Sequence, residues 1–262
     1  MKFCSIGSGS KGNGTLVAYR STRVLIDNGF TLKEFENRLA RKGLTPLDLS
    51  AILITHEHSD HIKGVGPLAR KYRIPVYASH GTAQYHGLGD IPSLRIFDSH
   101  GDFVIGDLQI SPVVVPHDAR EPTQFVIKNN SAKLGILTDL GSLTPYILEA
   151  YAECQALMLE TNHDVQMLRA GPYPPKLKRR VEGNLGHLNN EQAAWFLSEL
   201  GCAELKYLVA THISEQNNSK ELAVSNLQAV TQWPAEKIIV ADQENGFDWC
   251  DLSVDASIEE IA

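Results

Sequence analysis

The stretch Thr55-His56-Glu57-His58-Ser59-Asp60-His61 constrains this chain more than any other. It follows directly on the apolar run Ala51-Ile52-Leu53-Ile54 and places three imidazoles and the Asp60 carboxylate within six residues. So short an apolar run reads as a buried strand, which puts the polar cluster at a strand end, where a rigid scaffold holds functional side chains. Neutral imidazole and carboxylate are the ligands that borderline divalent ions such as Zn²⁺ prefer. The pattern points to metal chemistry, and to hydrolysis first.

The remaining chain reads as a scaffold of matching kind. Residues 14–19 and 23–27 read as strands, and residues 32–42 as a helix closed by Gly43. After the histidine cluster, Ile62, Val65, Leu68, Ala69 and Tyr72 recur at helical spacing. Strands are expected over residues 51–54, 74–78, 108–115, 123–128, 133–138, 156–159, 205–210 and 237–241. Helices are expected over 190–200, with Asn189 as N-cap and Gln192 in capping-box position, and over 219–230. Mixed strands and helices in both halves predict an α/β fold of two sheets with helices outside them. At 262 residues a single compact domain, 1–262, is the expectation.

Composition narrows the setting. No apolar run is long enough to cross a bilayer, and Met1-Lys2-Phe3-Cys4-Ser5-Ile6-Gly7 carries no signal-peptide core, so a cytoplasmic protein with no membrane partner is expected. The four cysteines, Cys4, Cys154, Cys202 and Cys250, form no CxxC pair and read as buried reduced thiols. A net charge of −7 argues against nucleic-acid binding through a global positive field. A local basic patch beside a cationic site would still suffice.

Three further metal-competent residues stand just past apolar runs: His117 after Pro116, Asp139 in Leu137-Thr138-Asp139, and His212 after residues 207–210. A lone histidine at a strand end is ordinarily structural; together with the His56–His61 cluster these positions make a ligand set. With Asp27 in Leu25-Ile26-Asp27, they fall in an order that resembles the metallo-β-lactamase superfold over nearly the whole length. The resemblance implies a four-layer αββα sandwich with a dinuclear site. His56, His58 and His117 would hold one divalent ion; Asp60, His61 and His212 the other; Asp139 would bridge them, and Asp27 would orient the ligands from behind. A hydroxide shared by the ions would be the nucleophile, with Asp60 accepting its hydrogen bond. The donor set suits Zn²⁺ or Mn²⁺, and also Fe²⁺.

Three features bear on the substrate. Gly7-Ser8-Gly9-Ser10-Lys11-Gly12-Asn13-Gly14 is either a plain hairpin or a loop of free N–H groups that meets a phosphate, with Ser10 and Asn13 as contacts. His187, just before a helix N-terminus in Gly186-His187-Leu188-Asn189-Asn190, is either a surface histidine or a general acid for a leaving alkoxide. Lys176-Leu177-Lys178-Arg179-Arg180 is either a solvated face or, through Lys178 and Arg180, a backbone-phosphate contact.

These segments, with Glu160-Thr161-Asn162-His163-Asp164 and Thr211-His212-Ile213-Ser214-Glu215-Gln216-Asn217-Asn218, resemble the YycJ/WalJ/VicX group of the superfold. Asn189 stands where serine is usual there, and Ser219 where threonine is usual. The resemblance implies a phosphodiesterase, a nuclease acting on DNA from the 5′ end, with nucleic acid as partner. Rival readings are a thioesterase, lactonase or cyclic phosphodiesterase on the same scaffold, an RNA-processing nuclease, and a metal-stabilised binding protein without turnover. A purely structural zinc site would be closed and usually cysteine-rich, which disfavours the last. His163 is expected to line the pocket or to stabilise its turn. His80, His86 and His100 are assigned no role.

Overall fold

Two sheets of seven strands each carry the chain. They are seen in a computed structural model that describes residues 1–253; residues 254–262 of the expected 1–262 unit lie outside the described residues. The strands in chain order are β1 (Lys2–Gly7), β2 (Gly14–Tyr19), β3 (Thr22–Ile26), β4 (Ala51–Leu53), β5 (Val76–Ala78), β6 (Leu94–Ile96), β7 (Phe103–Ile105), β8 (Leu108–Val114), β9 (Thr123–Lys128), β10 (Lys133–Leu137), β11 (Ala156–Glu160), β12 (Tyr207–Thr211), β13 (Ile238–Val240) and β14 (Phe247–Asp251). The first sheet runs β14-β1-β2-β3-β4-β5-β6, and the second β13-β12-β11-β10-β9-β8-β7. Both are mixed. β3 to β6 pair in parallel, as do β10 to β13, while the other neighbours pair antiparallel.

The helices are α1 (Leu32–Arg41), α2 (Ser59–Ile62), α3 (Val65–Tyr72), α4 (His80–Ala83), α5 (Pro145–Tyr151), α6 (Val165–Ala170), α7 (Pro175–Val181), α8 (Asn190–Leu200) and α9 (Lys220–Thr231). None is long and apolar enough to cross a membrane. Strand period explains how the layers stack. On β11, Ala156 and Met158 join the large core that also holds the first sheet, whereas Leu157 and Leu159 join a second cluster with Ile147 and Tyr151 of α5, Phe196 and Leu197 of α8 and Leu227 of α9. On β12, Val209 faces the first core and Leu208 and Ala210 the second. Each inner strand of the second sheet is therefore apolar on both faces, as a sheet sandwiched between another sheet and a helical layer requires.

Most expected elements fall within one or two residues of their places. The capping box of α8 forms as its sequence predicts, with Asn189 and Gln192 bonding reciprocally. The helix expected from Ile62 to Tyr72 is interrupted. Gly64 lies so close to the Phe30 carbonyl that a Cβ there would sit 1.9 Å from the oxygen, and α2 and α3 form on either side. The N-terminus is strand β1. It pairs with β2 on one side and with β14, at the far end of the described chain, on the other. The basic run is a helix, α7, opened by Pro175 in the first turn.

A second glycine governs how the histidine cluster seats. A Cβ on Gly29 would lie 1.9 Å from the Asp60 carbonyl oxygen and 2.7 Å from the Gly12 Cα, both backbone atoms. Gly29→Ala must push the chain around Asp60 away from the first sheet. The expected cost is about 1–3 kcal/mol of stability, the usual range for overpacking, read as a lower urea midpoint. An unchanged midpoint would show that the segment yields freely.

Candidate metal centre

The candidate ligands gather because strands in both sheets end at one seam. Parallel register sets β3 beside β4, with Ile26 opposite Leu53, and β11 beside β12, with Glu160 opposite Thr211. The next residues along are Asp27, the His56–His61 segment and His212. Three of the seam residues leave their strands in the left-handed conformation: Asp27, Asp139 and His212 have φ of 61°, 52° and 53°. That region is sparsely used by non-glycine residues, and strain of this kind gathers at functional sites.

Two clusters result. Nitrogens of His56, His58 and His117 lie within 4.8 Å of one another, and so do ligand atoms of Asp60, His61 and His212. In the first, His58 Nδ1 stands 3.2 Å from His117 Nε2. In the second, Asp60 Oδ2 lies 3.5 Å from His61 Nε2 and 3.6 Å from His212 Nε2. Asp139 stands between them, forming a further group with His56 and His61, its Oδ2 3.0 Å from His61 Nε2. His56 Nε2 and His212 Nε2 are buried and have no hydrogen-bond partner among the described residues. Such atoms ordinarily cost about 1–3 kcal/mol each. Orphaned nitrogens converging with carboxylate oxygens are what a divalent cation needs, so the residues fit the expected ions.

The outward nitrogen of every candidate histidine is fixed by a partner. His56 Nδ1 meets Thr55 Oγ1 at 2.9 Å, His61 Nδ1 meets Asp27 Oδ2 at 2.7 Å, and His117 Nδ1 meets the Gly186 carbonyl at 2.9 Å. His212 Nδ1 meets Glu160 Oε1 at 2.9 Å and His58 Nε2 meets the Asp118 carbonyl at 3.2 Å. Because carbonyl and carboxylate oxygens only accept, the outward nitrogen carries a proton and the other nitrogen is left to face the seam. Thr55 extends the same logic. Its hydroxyl and its N–H both donate to Asp27, at 2.7 and 2.9 Å, which leaves the hydroxyl oxygen to accept from His56.

The charge balance points the same way. Burial alone would raise Asp60, but the attraction of His61 and the close approach of His212 hold it well below the usual carboxylate range. Asp139 is likewise held down against burial, by His212 and His61, and Glu160 is brought to about 2, chiefly by His187. The reciprocal effect raises His61, and carries His212 up to about 10, although burial opposes both. In the first cluster burial dominates, and His56 and His117 shift downward. The second cluster thus answers its carboxylates with protons, where cations would serve.

A cavity of about 320 Å³ opens over the centre, lined on this side by His58, Asp60, Asp139, His187 and His212. His187 Nδ1 lies 2.8 Å from Glu160 Oε1, and its backbone N–H donates to the Val181 carbonyl at 2.9 Å. Ser10 and Arg180 also line the cavity. Lys178 does not: its Nζ donates to the Arg169 carbonyl at 2.6 Å. Arg180 is paired through Nε and Nη2 with Asp118, the Nη2 contact at 3.2 Å.

Asn13 stands elsewhere than expected. It is buried, its Oδ1 accepting from Gly9 N–H at 2.8 Å, and its amide lies 3.4 Å from Asp60 Oδ2 and 3.1 Å from His61 Nε2. It braces the cluster and does not face the cavity mouth. The glycine-rich loop is also no cradle of free N–H groups. Those of Ser8, Gly9, Lys11, Gly12 and Asn13 all donate within the protein, to Asp242, Asn13, Gln243, Gly9 and Asp60 respectively. His163 is fully buried outside the cavity lining; burial lowers it to about 4, so it is neutral, and its carbonyl accepts from Asn190 N–H at 3.0 Å. Sequence reasoning gave no role to Glu160 or Asp118. Their signals were slight: a carboxylate closing an apolar strand, and an acid next to His117.

Comparison with known proteins agrees with this architecture. The family described as "Beta-lactamase superfamily domain" matches residues 22–213. The chain is 40% identical to "Exodeoxyribonuclease YycJ" of Bacillus anthracis over 236 residues, covering 88% of this chain and 89% of that protein. It is 37% identical to "Exodeoxyribonuclease WalJ" of Streptococcus pneumoniae over 228 residues, 85% of each. Among solved structures, the metallo-beta-lactamase fold protein YhfI from Bacillus subtilis superposes with a TM-score of 0.73 at 19% identity, covering 95% of this chain and 99% of that one. The fold is the metallo-β-lactamase sandwich expected from the sequence.

Protons held by the second cluster set a testable linkage. His212, raised to about 10, and His61, also raised, hold a proton more tightly than a free imidazole does, and a cation that takes their nitrogens competes with those protons. Binding of Zn²⁺ or Mn²⁺ should therefore release protons, and affinity should rise between about pH 6 and 8. Titration calorimetry of chelator-stripped protein in buffers of different ionisation enthalpy measures the release; zero net release at pH 7 would contradict it.

Proposed function

We propose that this chain, which belongs to the β-lactamase superfamily and is a metal-dependent hydrolase of the nuclease kind, cleaves DNA phosphodiester bonds from the 5′ end, with two divalent ions held at one centre. The observation that carries the reading is Asp139 between two nitrogen-rich clusters, under a cavity that His187 also lines. His56, His58 and His117 would hold one ion, Asp60, His61 and His212 the other, and Asp139 both. Bound there, divalent ions supply Lewis acidity toward a phosphoryl oxygen and lower the pKa of water toward neutrality.

The chain's own residues do the rest. Asp60 turns Oδ2 to its two histidines, and its other oxygen accepts the hydrogen bond that orients the attacking water. Asp27 fixes His61 from behind. Glu160, held to about 2, stays ionised and binds His187 at Nδ1. That contact orients the His187 ring, and its Nε2–H is the proton for the leaving 3′-oxygen. Arg180 offers the remaining N–H groups of its fork to a phosphate oxygen, and Ser10, which lines the same cavity, a hydroxyl. DNA is favoured as substrate because both relatives of high coverage carry the name exodeoxyribonuclease.

The reading is tested by incubating metal-loaded protein with 5′-phosphorylated, end-labelled DNA, RNA and a thioester, with and without chelator. Chelator-sensitive release of mononucleotides from the 5′ end of DNA is expected. Thioester hydrolysis without DNA cleavage would overturn it. Two variants separate the roles. Asp139→Ala should lower the bound metal count by mass analysis; an unchanged count would remove Asp139 from the centre. His187→Ala should keep its metal while slowing cleavage by about 10²–10⁴-fold for an alkyl leaving group, and far less for an aryl one. Equal slowing of both would remove the leaving-group role.

A further inference from the structure

The cavity over the centre has two chemically distinct sides. One is the charged floor of histidines and carboxylates. The apolar side comes from a single stretch, in which Tyr173 leads into α7 and Leu177 and Val181 follow on that helix. Positions four apart share a helix face, so Leu177 and Val181 present one surface, and Arg180, three residues after Leu177, borders it. Lys176 and Arg179 are exposed.

That wall is held firmly with respect to the reacting groups. Arg180 is paired with Asp118 beside His117. Lys178 Nζ caps the Arg169 carbonyl, and Val181 accepts from the His187 N–H. Tyr173 is half-buried and lines the cavity. At about 320 Å³ the cavity sits at the small end of ligand sites, which run from about 300 to 1,000 Å³. A small ligand such as a single nucleotide is on that scale.

A phosphodiester whose phosphate rests on the floor brings its terminal nucleoside against this wall. We propose that Tyr173, backed by Leu177, is a stacking platform for one unpaired terminal nucleobase, with Arg180 on the adjoining phosphate. This rests on the phosphodiesterase reading above. Every base has a π face, so the subsite takes a base of any identity. It excludes a paired end until that end frays, and so favours single-stranded or frayed DNA over blunt duplex.

The test uses Tyr173→Ala and Tyr173→Phe in metal-loaded protein, with circular dichroism to confirm folding. The first probe is 2-aminopurine deoxynucleoside 5′-monophosphate, which has no phosphodiester to cut. Its fluorescence should be quenched on binding, and Tyr173→Ala should weaken binding by about 5- to 100-fold while Tyr173→Phe retains it. The second is a pair of oligonucleotides, with a normal or an abasic terminal residue; Tyr173→Ala should slow only the former. Unchanged binding of the nucleotide by folded Tyr173→Ala would overturn the platform. Equal slowing of both oligonucleotides would also overturn it, leaving the phosphodiesterase reading intact. If the wild type cuts neither oligonucleotide but quenches the nucleotide in a Tyr173-dependent way, the phosphodiesterase reading fails and the platform stands.

Discussion

Buried negative charge at the seam between the two sheets is the constraint on which this structure turns. Asp27, Asp139 and Glu160 are almost wholly enclosed, and Asp60 is largely so. An isolated carboxylate in such a place carries a penalty of several kcal/mol even after relaxation. The fold answers it with a ring of imidazoles whose outward N–H groups are pinned to fixed acceptors. The same carboxylates raise His61 and His212, so that protons can complete the balance in the metal-free protein. Cations at the candidate centre would take over that part, with the same imidazoles offering lone pairs. One arrangement of atoms therefore satisfies both states, because the outer contacts fix each ring in place whichever charge occupies the centre.

The sheets exist in a form that makes this possible. Parallel strands point their ends the same way, so β3 and β4 in one sheet and β10, β11 and β12 in the other deliver residues to a common edge. Turning a side chain into the seam requires the backbone to bend sharply at the strand end. Asp27, Asp139 and His212 do so with positive φ. Asp and His tolerate that region better than bulky or β-branched residues do, and here their polar side chains find partners immediately. The glycine-rich loop after β1 contributes at the same edge. Ser8 Oγ accepts from His212 N–H at 2.9 Å, and the Asn13 N–H donates to the Asp60 carbonyl at 2.8 Å. The loop thus grips both ends of the second cluster.

How much of this could be read in the sequence depended on how local each signal is. The candidate cluster was legible because four of its members are nearly consecutive and follow a buried strand. That Asp27, His117, Asp139 and His212 gather beside it was legible because each ends an apolar run. Glu160 was not, since it closes the strand Ala156–Glu160 and acquires meaning only when His187, 27 residues on, and His212, 52 residues on, meet its carboxylate. Strands β1 and β14 were missed for a similar reason: Lys2 pairs with Asp251 across almost the whole chain, and neither segment has a long enough alternating pattern to stand alone. Asn13 was taken for a substrate contact because its loop looked open. Closure of that loop on Gln243, Asp242 and Asp60 is a tertiary event with no local mark.

The segment from Val181 to Leu188 ties these parts into one device. The carbonyl of Val181 accepts from His187, the carbonyl of Gly186 accepts from His117 Nδ1, and the N–H of Leu188 donates to Glu160 Oε2 at 2.9 Å. A span of eight residues thereby touches the His56–His58–His117 cluster, His187 and the Glu160 carboxylate behind His212, and it begins at the last residue of the apolar wall. Displacing α7 by an ångström would shift His187 and the orientation of His117 together. The apolar side of the cavity is thus mechanically continuous with His117, His187 and Glu160. Reaction geometry depends steeply on such sub-ångström placement, which gives a physical reason for building wall, acid and ligand support on one short stretch of chain.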